Sequence, residues 1–219
     1  MTENFTLPLV LDFGATFIWS VSGALVAARQ RFDLVGLSAI ALVSSTGGGL
    51  MRDGLFLQSG PPALVQTPWY IAIALVAALL IHFLGRKVQH SRNFTLIVGL
   101  FDALGLGAYA VIGMQKSLLL GLSVPGVVLV GLVNAVGGGV LRDVLVGREP
   151  LVFKPGTLNA IAALAGCACY LGLTDSLGFS AMVGAWSTIA LTFAIRAASV
   201  RFNIQTTASG DFDEPPTRV

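Results

Sequence analysis

Charged residues are scarce in this chain of 219 residues, of which Asp, Glu, Lys and Arg together make up 11%. A soluble domain usually carries about 25% charged residues, so the charges here are too few to cover a water-facing surface. The formal net charge of +2 leaves no broad basic surface for the phosphates of a nucleic acid. Because 55% of the residues are hydrophobic, the composition excludes an ordinary soluble globule and predicts a compact helical membrane protein.

The residues that usually carry metal or redox chemistry are also few. The two cysteines, Cys167 and Cys169, lie two positions apart in an apolar run, which puts them on different faces of one helix. Neither His82 nor His90 has a second ligand at a spacing typical of a zinc site. The sequence contains no recognisable Ser-His-Asp set and no phosphate-binding loop. We therefore expect neither an enzyme nor a protein with a structural metal site or a cofactor.

Long apolar runs dominate what is present. A membrane-spanning helix needs about 20 apolar residues, and seven runs approach or reach that length. The chain is thus predicted to be an all-α polytopic membrane protein with seven transmembrane helices. The runs are Leu7–Ala28, Leu34–Met51, Pro68–Leu84, Phe94–Met114, Val124–Leu141, Pro155–Leu173 and Leu177–Ile195.

Basic residues fall almost entirely on one side of the predicted spans. Cytoplasmic loops of membrane proteins are enriched in Lys and Arg, so the N-terminus is predicted outside and the C-terminus in the cytoplasm, in a bacterial inner membrane. The loop over residues 86–92 would also attract anionic lipid headgroups. The opposite side carries Lys116 alone. The basic residues of the predicted cytoplasmic side are Arg29, Arg31, Arg86, Lys87, Arg92, Arg148, Lys154, Arg196, Arg201 and Arg218.

The sequence repeats itself with an offset of 90 positions, so that Gly137 takes the place of Gly47. Residues 47–55 and residues 137–145 share the pattern Gly-Gly-Gly-x-x-Arg-Asp-x-Leu, and upstream of it Asp12 falls on Asp102 without a gap. Each unit holds three predicted spans, and because three is odd, the second unit enters the membrane upside down. Such inverted repeats are typical of many transporters and of some channels.

The repeat divides the chain into four parts. Residues 1–90 form the first three-span unit and residues 91–175 form the second, inverted unit. Residues 176–203 form an additional seventh span. Residues 204–219 are polar and include Gly210, Pro215 and Pro216, so we expect a disordered cytoplasmic tail.

Two glycine triplets inside the second and fifth spans are the first candidates for a functional pathway. A glycine inside a helix costs about 1 kcal/mol relative to alanine, so three in a row favour a kinked or unwound helix. Irregular backbone is tolerated at membrane depth where it lines a wet cavity, and carbonyl groups freed there would coordinate a cation. The alternative is close packing of helices against small residues. The glycines are Gly47, Gly48, Gly49, Gly137, Gly138 and Gly139.

Ionisable residues follow each triplet, and inside a membrane such residues are candidates for function. The repeat predicts an Asp12–Arg52 pair near one side of the membrane and an Asp102–Arg142 pair near the other. Such pairs would hold the units together, gate a pore, or do both. The acidic residues that directly follow the two arginines are Asp53 and Asp143.

Two polar residues close to the triplets are further candidates for lining a pathway. Ser45 lies two positions before Gly47, and Asn134 lies three positions before Gly137. The alternative for such side chains is a hydrogen bond back to a carbonyl group of their own helix, which is their commoner use.

Two three-span units that each carry Gly-Gly-Gly-x-x-Arg-Asp, followed by a seventh helix, resemble the prokaryotic members of the TRIC (trimeric intracellular cation) channel family. The same domain is also labelled as a glycine transporter family in bacteria. The resemblance covers about residues 5–200. It implies a homotrimer in which each protomer has its own pore for K⁺ and Na⁺. Spans two and five would line that pore and would be kinked at the glycines.

The interpretation from the sequence is therefore a monovalent cation channel, with K⁺, Na⁺ and membrane lipids as its partners. A secondary transporter for a small amino acid such as glycine is the alternative, because inverted repeats are equally natural in that class. A structural membrane-assembly protein would explain the charges but not the paired glycine triplets. Unitary currents across a planar bilayer would favour the channel, and saturable solute uptake without them would favour the transporter.

Overall fold

The computed structural model describes residues 9–89, 94–153, 158–202 and 204. Eight α-helices are found in this part of the chain. A π-helix follows α2, a 3₁₀-helix lies between α6 and α7, and a second π-helix follows α7. The helices are α1 (Leu9–Arg29), α2 (Leu34–Met51), α3 (Ala63–Gln66), α4 (Trp69–Gln89), α5 (Phe94–Leu119), α6 (Val124–Leu145), α7 (Asn159–Leu171) and α8 (Ala181–Phe202).

The surface is apolar and part of the interior is polar, as expected for a protein whose solvent is lipid. Large hydrophobic side chains such as Val76 and Phe83 are exposed, whereas Thr16, Ser20 and Ser22 are fully buried. A soluble monomer rarely exposes so many large apolar side chains. Among the described residues, four helical segments are long and apolar enough to cross a membrane, namely Leu34–Leu57, Leu96–Leu119, Val124–Leu145 and Ala181–Ser199. A shorter apolar helical segment covers Trp69–Gly85.

The helices form two three-helix groups that pack against each other. In the first group α1, α2 and α4 are in mutual contact, and in the second group α5, α6 and α7 are. The groups meet where α1 packs on α5 and α2 packs on α6, and α8 covers α5 and α7. Each group has its own buried apolar cluster, one around Leu25 and Ile40 and one around Val111 and Met114.

The sequence repeat is also a repeat of local structure. The turn between α1 and α2 contains Arg31 with φ 61°, and the turn between α5 and α6 contains Gly121, at the equivalent position, with φ 70°. The amide of Arg31 donates to the carbonyl oxygen of Ala28 at 3.0 Å, and the amide of Gly121 donates to that of Leu118 at the same distance. The two turns are therefore built alike although their residues differ.

Replacing Gly121 by Ala should destabilise the protein by about 1 kcal/mol, because an L residue in the left-handed region carries a penalty of that order. No neighbouring atom lies within 4 Å of an added Cβ at this position, so the backbone is the whole cause. Gly126→Ala is the matched control, since this glycine lies in α6 and its Cβ would make ordinary contacts from 3.6 Å. Thermal unfolding in detergent measures both variants. An unchanged melting temperature for Gly121→Ala would contradict the argument.

The helices do not break at the glycine triplets. Both α2 and α6 are continuous α-helix across them, so the prediction of unwound backbone at Gly47–Gly49 and Gly137–Gly139 is wrong. The irregular segment comes later, as a π-helix over Arg52–Leu57. The amide of Gln58 closes it by donating to the carbonyl oxygen of Asp53 at 3.0 Å. The physical reason for the uninterrupted helices is the contact that the glycines make, described below.

Each predicted span overlaps one of the helices other than α3, but helix α7 in the sixth span has only 13 residues, Asn159–Leu171, where the prediction was Pro155–Leu173. Two further differences concern α3 and α8. The short helix α3 lies in a loop for which no helix was predicted. Helix α8 continues through Phe202, so that Arg196, assigned from the sequence to the cytoplasmic side, is a helical residue that is only 4% exposed. The predicted disordered tail falls outside the described residues except for Ile204, and so do Arg92, Lys154 and Arg218.

Candidate functional site

The glycine triplets are the point at which α2 and α6 cross. A Cβ atom added to Gly48 would overlap the carbonyl oxygen of Asn134, and one added to Gly138 would overlap the carbonyl oxygen of Ser44. A Cβ on Gly47 would lie 3.2 Å from the Cα of Gly138. Two helix backbones therefore touch directly, which only residues without a side chain allow.

The third glycine of each triplet does something different. Gly49 and Gly139 line two separate cavities. An added Cβ would meet nothing closer than the Arg52 Nη2 atom at 3.6 Å in the first case and the Arg142 Nη2 atom at 3.9 Å in the second. In each triplet, therefore, the first two glycines lie in the helix crossing and the third faces a cavity.

The first cavity, the Asp12 cavity, has a volume of about 40 Å³, and polar side chains form part of its wall. Hydroxyl and charged groups contributed by α1, α2, α4, α5 and the π-helix reach it. The polar residues of its wall include Asp12, Ser45, Arg52, Asp53, Tyr70 and Lys116.

The second cavity, the Asp102 cavity, has a volume of about 30 Å³. Its charged residues stand at the repeat-equivalent positions, but other parts of its wall are apolar. Ala135 and Val136 occupy the places that Ser45 and Thr46 have in the Asp12 cavity. The residues of its wall include Trp19, Asp102, Val136, Gly139, Arg142 and Asp143.

The structure brings Asp102 and Arg142 together in the second cavity. The Nη1 atom of Arg142 lies 3.0 Å from Asp102 Oδ1, and its Nη2 atom lies 3.1 Å from Oδ2. Ser22 on α1 donates to Asp102 Oδ1 at 2.7 Å, and Arg142 Nε donates to Asp143 Oδ1 at 2.9 Å. Arg142 is only 3% exposed, so these contacts replace the hydration that a buried guanidinium loses.

The predicted Asp12–Arg52 pair is wrong. Arg52 donates to both oxygens of Asp53, at 2.6 and 2.8 Å, and to the side-chain oxygen of Asn134 at 3.2 Å. Asp12 instead accepts a hydrogen bond of 2.6 Å from the hydroxyl group of Tyr70. The cause is that the two units differ here, because the position equivalent to Tyr70 is Ala160.

Both predicted polar candidates are fixed by hydrogen bonds. Ser45 lines the Asp12 cavity, and its hydroxyl group donates back to the carbonyl oxygen of Ala41 at 3.0 Å. Asn134 is fully buried and does not reach either cavity wall. Its amide nitrogen donates to the carbonyl oxygen of Tyr109, while its oxygen accepts from Arg52. Asn134 therefore links α5, α6 and the π-helix.

Sequence reasoning missed the aromatic and lysine residues of the site. Lys116, the one basic residue assigned to the predicted outer side, lies on α5, and its Nζ atom is 3.8 Å from Asp53 Oδ2 in the Asp12 cavity. Trp19 and Tyr109 pack against each other with ring centroids 4.9 Å apart. The offset of 90 that relates Trp19 to Tyr109 is the signal that could have found this pair.

The chain is similar to several membrane proteins of bacteria. A sequence model of the family described as "Glycine transporter" matches residues 9–86 and 99–175, one segment in each half. A UPF0126 membrane protein of Deinococcus radiodurans is 36% identical over 157 residues, which cover 71% of each chain. The UPF0126 inner membrane protein YadS of Escherichia coli is 29% identical over 198 residues, or 89% of this chain and 92% of YadS.

Solved structures that resemble this chain show to which family it belongs. The TRIC trimeric intracellular cation channel orthologue from Rhodobacter sphaeroides is 30% identical and superposes with a TM-score of 0.82, covering 90% of this chain and 98% of that one. The chain belongs to the TRIC family. A second prokaryotic TRIC channel, solved in 0.5 M KCl, is 25% identical and has a TM-score of 0.81 over 89% of this chain. The all-helical TRIC fold accounts for the apolar exterior, and TRIC membership makes the chain a membrane protein.

Proposed function

We propose that this protein is a channel for monovalent cations, with a pathway for K⁺ and Na⁺ in each protomer. The observation that carries the proposal is the pair of cavities at repeat-equivalent positions on either side of the α2–α6 crossing. Carboxylates line both cavities, and rings of acidic groups are a common device for selecting cations. Similarity to solved TRIC cation channels over most of the chain supports the same function.

Cavity size also favours ions over larger solutes. A cavity needs about 10–15 Å³ to hold one water molecule, so cavities of about 40 and 30 Å³ suit a few waters or a partly dehydrated cation. In the Asp12 cavity Arg52 is bound to Asp53. Asp12, which no basic side chain of the described residues binds within 4 Å, is the carboxylate that we assign to an entering cation.

The proposal includes seven membrane spans. In it α1, α2 and α4 form one unit, α5, α6 and α7 form a second unit inserted upside down, and α8 is the seventh span. The equal turns at Arg31 and Gly121 support two units of the same build. With the basic residues in the cytoplasm of a bacterial inner membrane, the Asp12 cavity opens outside and the Asp102 cavity opens to the cytoplasm.

The assembly we propose is a homotrimer surrounded by membrane lipids. The similar protein from Rhodobacter sphaeroides is a trimeric channel. The exposed apolar residues of the helices, such as Leu75 and Leu79 on α4, suit contact with lipid or with a neighbouring protomer.

Coupled transport of glycine is the second candidate, because the family model that matches both halves is described as a glycine transporter. The two functions separate in liposomes that contain the purified protein. We expect K⁺ and Na⁺ to flow down their gradients at a rate that glycine does not change, with empty liposomes as the control. Saturable glycine uptake driven by an ion gradient, without independent K⁺ flux, would contradict the channel.

A further inference from the structure

One aromatic pair separates the two cavities. Tyr109 on α5 lines the Asp12 cavity and Trp19 on α1 lines the Asp102 cavity. Their ring centroids are 4.9 Å apart at an interplanar angle of 50°. Trp19 is 5% and Tyr109 is 6% exposed. The two rings therefore touch between the cavities, where they stand in the way of an ion passing from one to the other.

Tyr109 is the fixed member of the pair. Its hydroxyl group donates to the carbonyl oxygen of Ser45 at 2.8 Å and lies 3.2 Å from the hydroxyl oxygen of Thr16. Its own carbonyl oxygen accepts from the side chain of Asn134. The hydroxyl contacts attach the ring to α1 and α2, so a movement of the ring would break both of them, whereas the backbone carbonyl group holds α6 independently of the ring.

Trp19 is held mainly by packing. Its Nε1 atom makes one long hydrogen bond, of 3.3 Å, to the carbonyl oxygen of Asp102. The indole packs against two glycines, since a Cβ on Gly105 would overlap Nε1 and a Cβ on Gly138 would lie 2.9 Å from Cζ3. The ring thus fills space that is free because the two glycines have no side chains. One weak hydrogen bond opposes movement of the ring out of this space.

The wall beside Trp19 is apolar. Ala135 and Val136 line the Asp102 cavity next to the indole, at the positions where the Asp12 cavity has Ser45 and Thr46. A constriction closed by apolar groups excludes water as well as ions, and such constrictions gate channels by dewetting. The barrier therefore lies on the Asp102 side of the crossing rather than in its middle.

We propose that Trp19 is the gate of this protein, a plug that closes the pathway between the Asp12 and Asp102 cavities. The structure is its closed state, and movement of the indole away from Gly138 joins the cavities. The inference rests on the proposed channel function. The acceptor of the indole N–H is the backbone of Asp102, whose side chain binds Arg142, so the gate and the ion pair are attached to the same residue.

The first arm of the test measures K⁺ flux into liposomes. Trp19→Ala should raise flux several-fold over the wild type, and Trp19→Leu should raise it less, because leucine fills part of the space. Phe17→Ala is the control, since Phe17 lies on the same helix with 38% exposure. Assembled Trp19→Ala and Trp19→Leu proteins with wild-type flux would overturn the inference.

The second arm locates the barrier without relying on conduction. In a background that lacks both native cysteines, single cysteines replace Gly49 or Gly139, where an added Cβ meets no atom closer than 3.6 Å. A membrane-impermeant thiol reagent, applied from the side of the Asp102 cavity, should modify the Gly139→Cys variant and not the Gly49→Cys variant. Adding Trp19→Leu should make the Gly49→Cys variant reactive from that side.

The two arms distinguish failure of the gate from failure of the channel. Equal labelling of both cysteine variants with Trp19 intact would overturn the plug. The predicted labelling pattern together with an absence of K⁺ flux from the wild type and all Trp19 variants would support the plug and refute the channel function on which it rests.

Discussion

The Gly48→Ala variant should unfold at a markedly lower temperature than the wild type, with a loss of about 1–3 kcal/mol or more, the range for overpacking. The reason is that the added Cβ overlaps the backbone carbonyl oxygen of Asn134, and backbone in a packed crossing cannot rotate away as a side chain can. Gly138→Ala should behave alike, because its Cβ overlaps the carbonyl oxygen of Ser44. Melting in detergent and size-exclusion chromatography of the same preparation measure both effects.

The matched controls lie in the same triplets. Gly49→Ala and Gly139→Ala add the same methyl group where the closest atoms, at 3.6 and 3.9 Å, are arginine side-chain nitrogens. They should assemble and melt as the wild type does. If Gly48→Ala melted like Gly49→Ala, the backbone contact between α2 and α6 would not be as close as the structure has it.

Removing the carboxylate of Asp102 should be more costly than removing that of Asp12. Arg142, at 3% exposure, would keep Asp143 but lose both contacts to Asp102, and breaking a buried pair typically costs about 3–5 kcal/mol. Asp102→Ala should therefore lower the melting temperature clearly. Asp12→Ala loses one hydrogen bond to the neutral hydroxyl group of Tyr70, an effect of about 1 kcal/mol.

Asp175→Ala serves as the control for this series, because Asp175 is exposed at the end of α7 and should leave the melting temperature unchanged. The expected order of destabilisation is Asp102, then Asp12, then Asp175. Equal melting temperatures for the Asp102→Ala and Asp12→Ala variants would contradict the difference between the two cavities.

The repeat in the sequence predicted two charge pairs, of which the structure has one, Asp102–Arg142. Asp102 and Arg142 meet because Ser22 and Asp143 supply hydrogen bonds around them. The prediction failed at Asp12, where Tyr70 has no counterpart in the second unit. The repeat therefore predicts where each residue lies along its helix. Its hydrogen-bond partner also depends on neighbouring residues, and some of these differ between the two units.

The glycine triplets show a second limit of sequence reasoning. Their number and spacing predicted an unusual place in α2 and α6, but not that two glycines of each triplet touch the other helix while the third faces a cavity. That difference follows from the angular position of each residue at the crossing, which depends on contacts between segments 90 positions apart. The favoured interpretation of broken helices gave way to the packing alternative for this reason.

The lengths of the apolar runs predicted the long helices well, because a stretch of apolar residues in lipid must satisfy its backbone as a helix. Helix α3 has only four residues and no periodic signal of its own. The Trp19–Tyr109 pair escaped notice because an aromatic residue in an apolar run is usually ordinary core packing.

Recording from the purified protein in a planar bilayer tests the central claim most directly. With a gradient of KCl across the membrane, we expect discrete unitary currents whose reversal potential lies towards that of K⁺, with similar currents in NaCl and no dependence on glycine. The Trp19→Leu variant should be open for a larger fraction of the time at the same unitary conductance. A bilayer without unitary currents, from protein that takes up glycine in a saturable manner in liposomes, would contradict the channel.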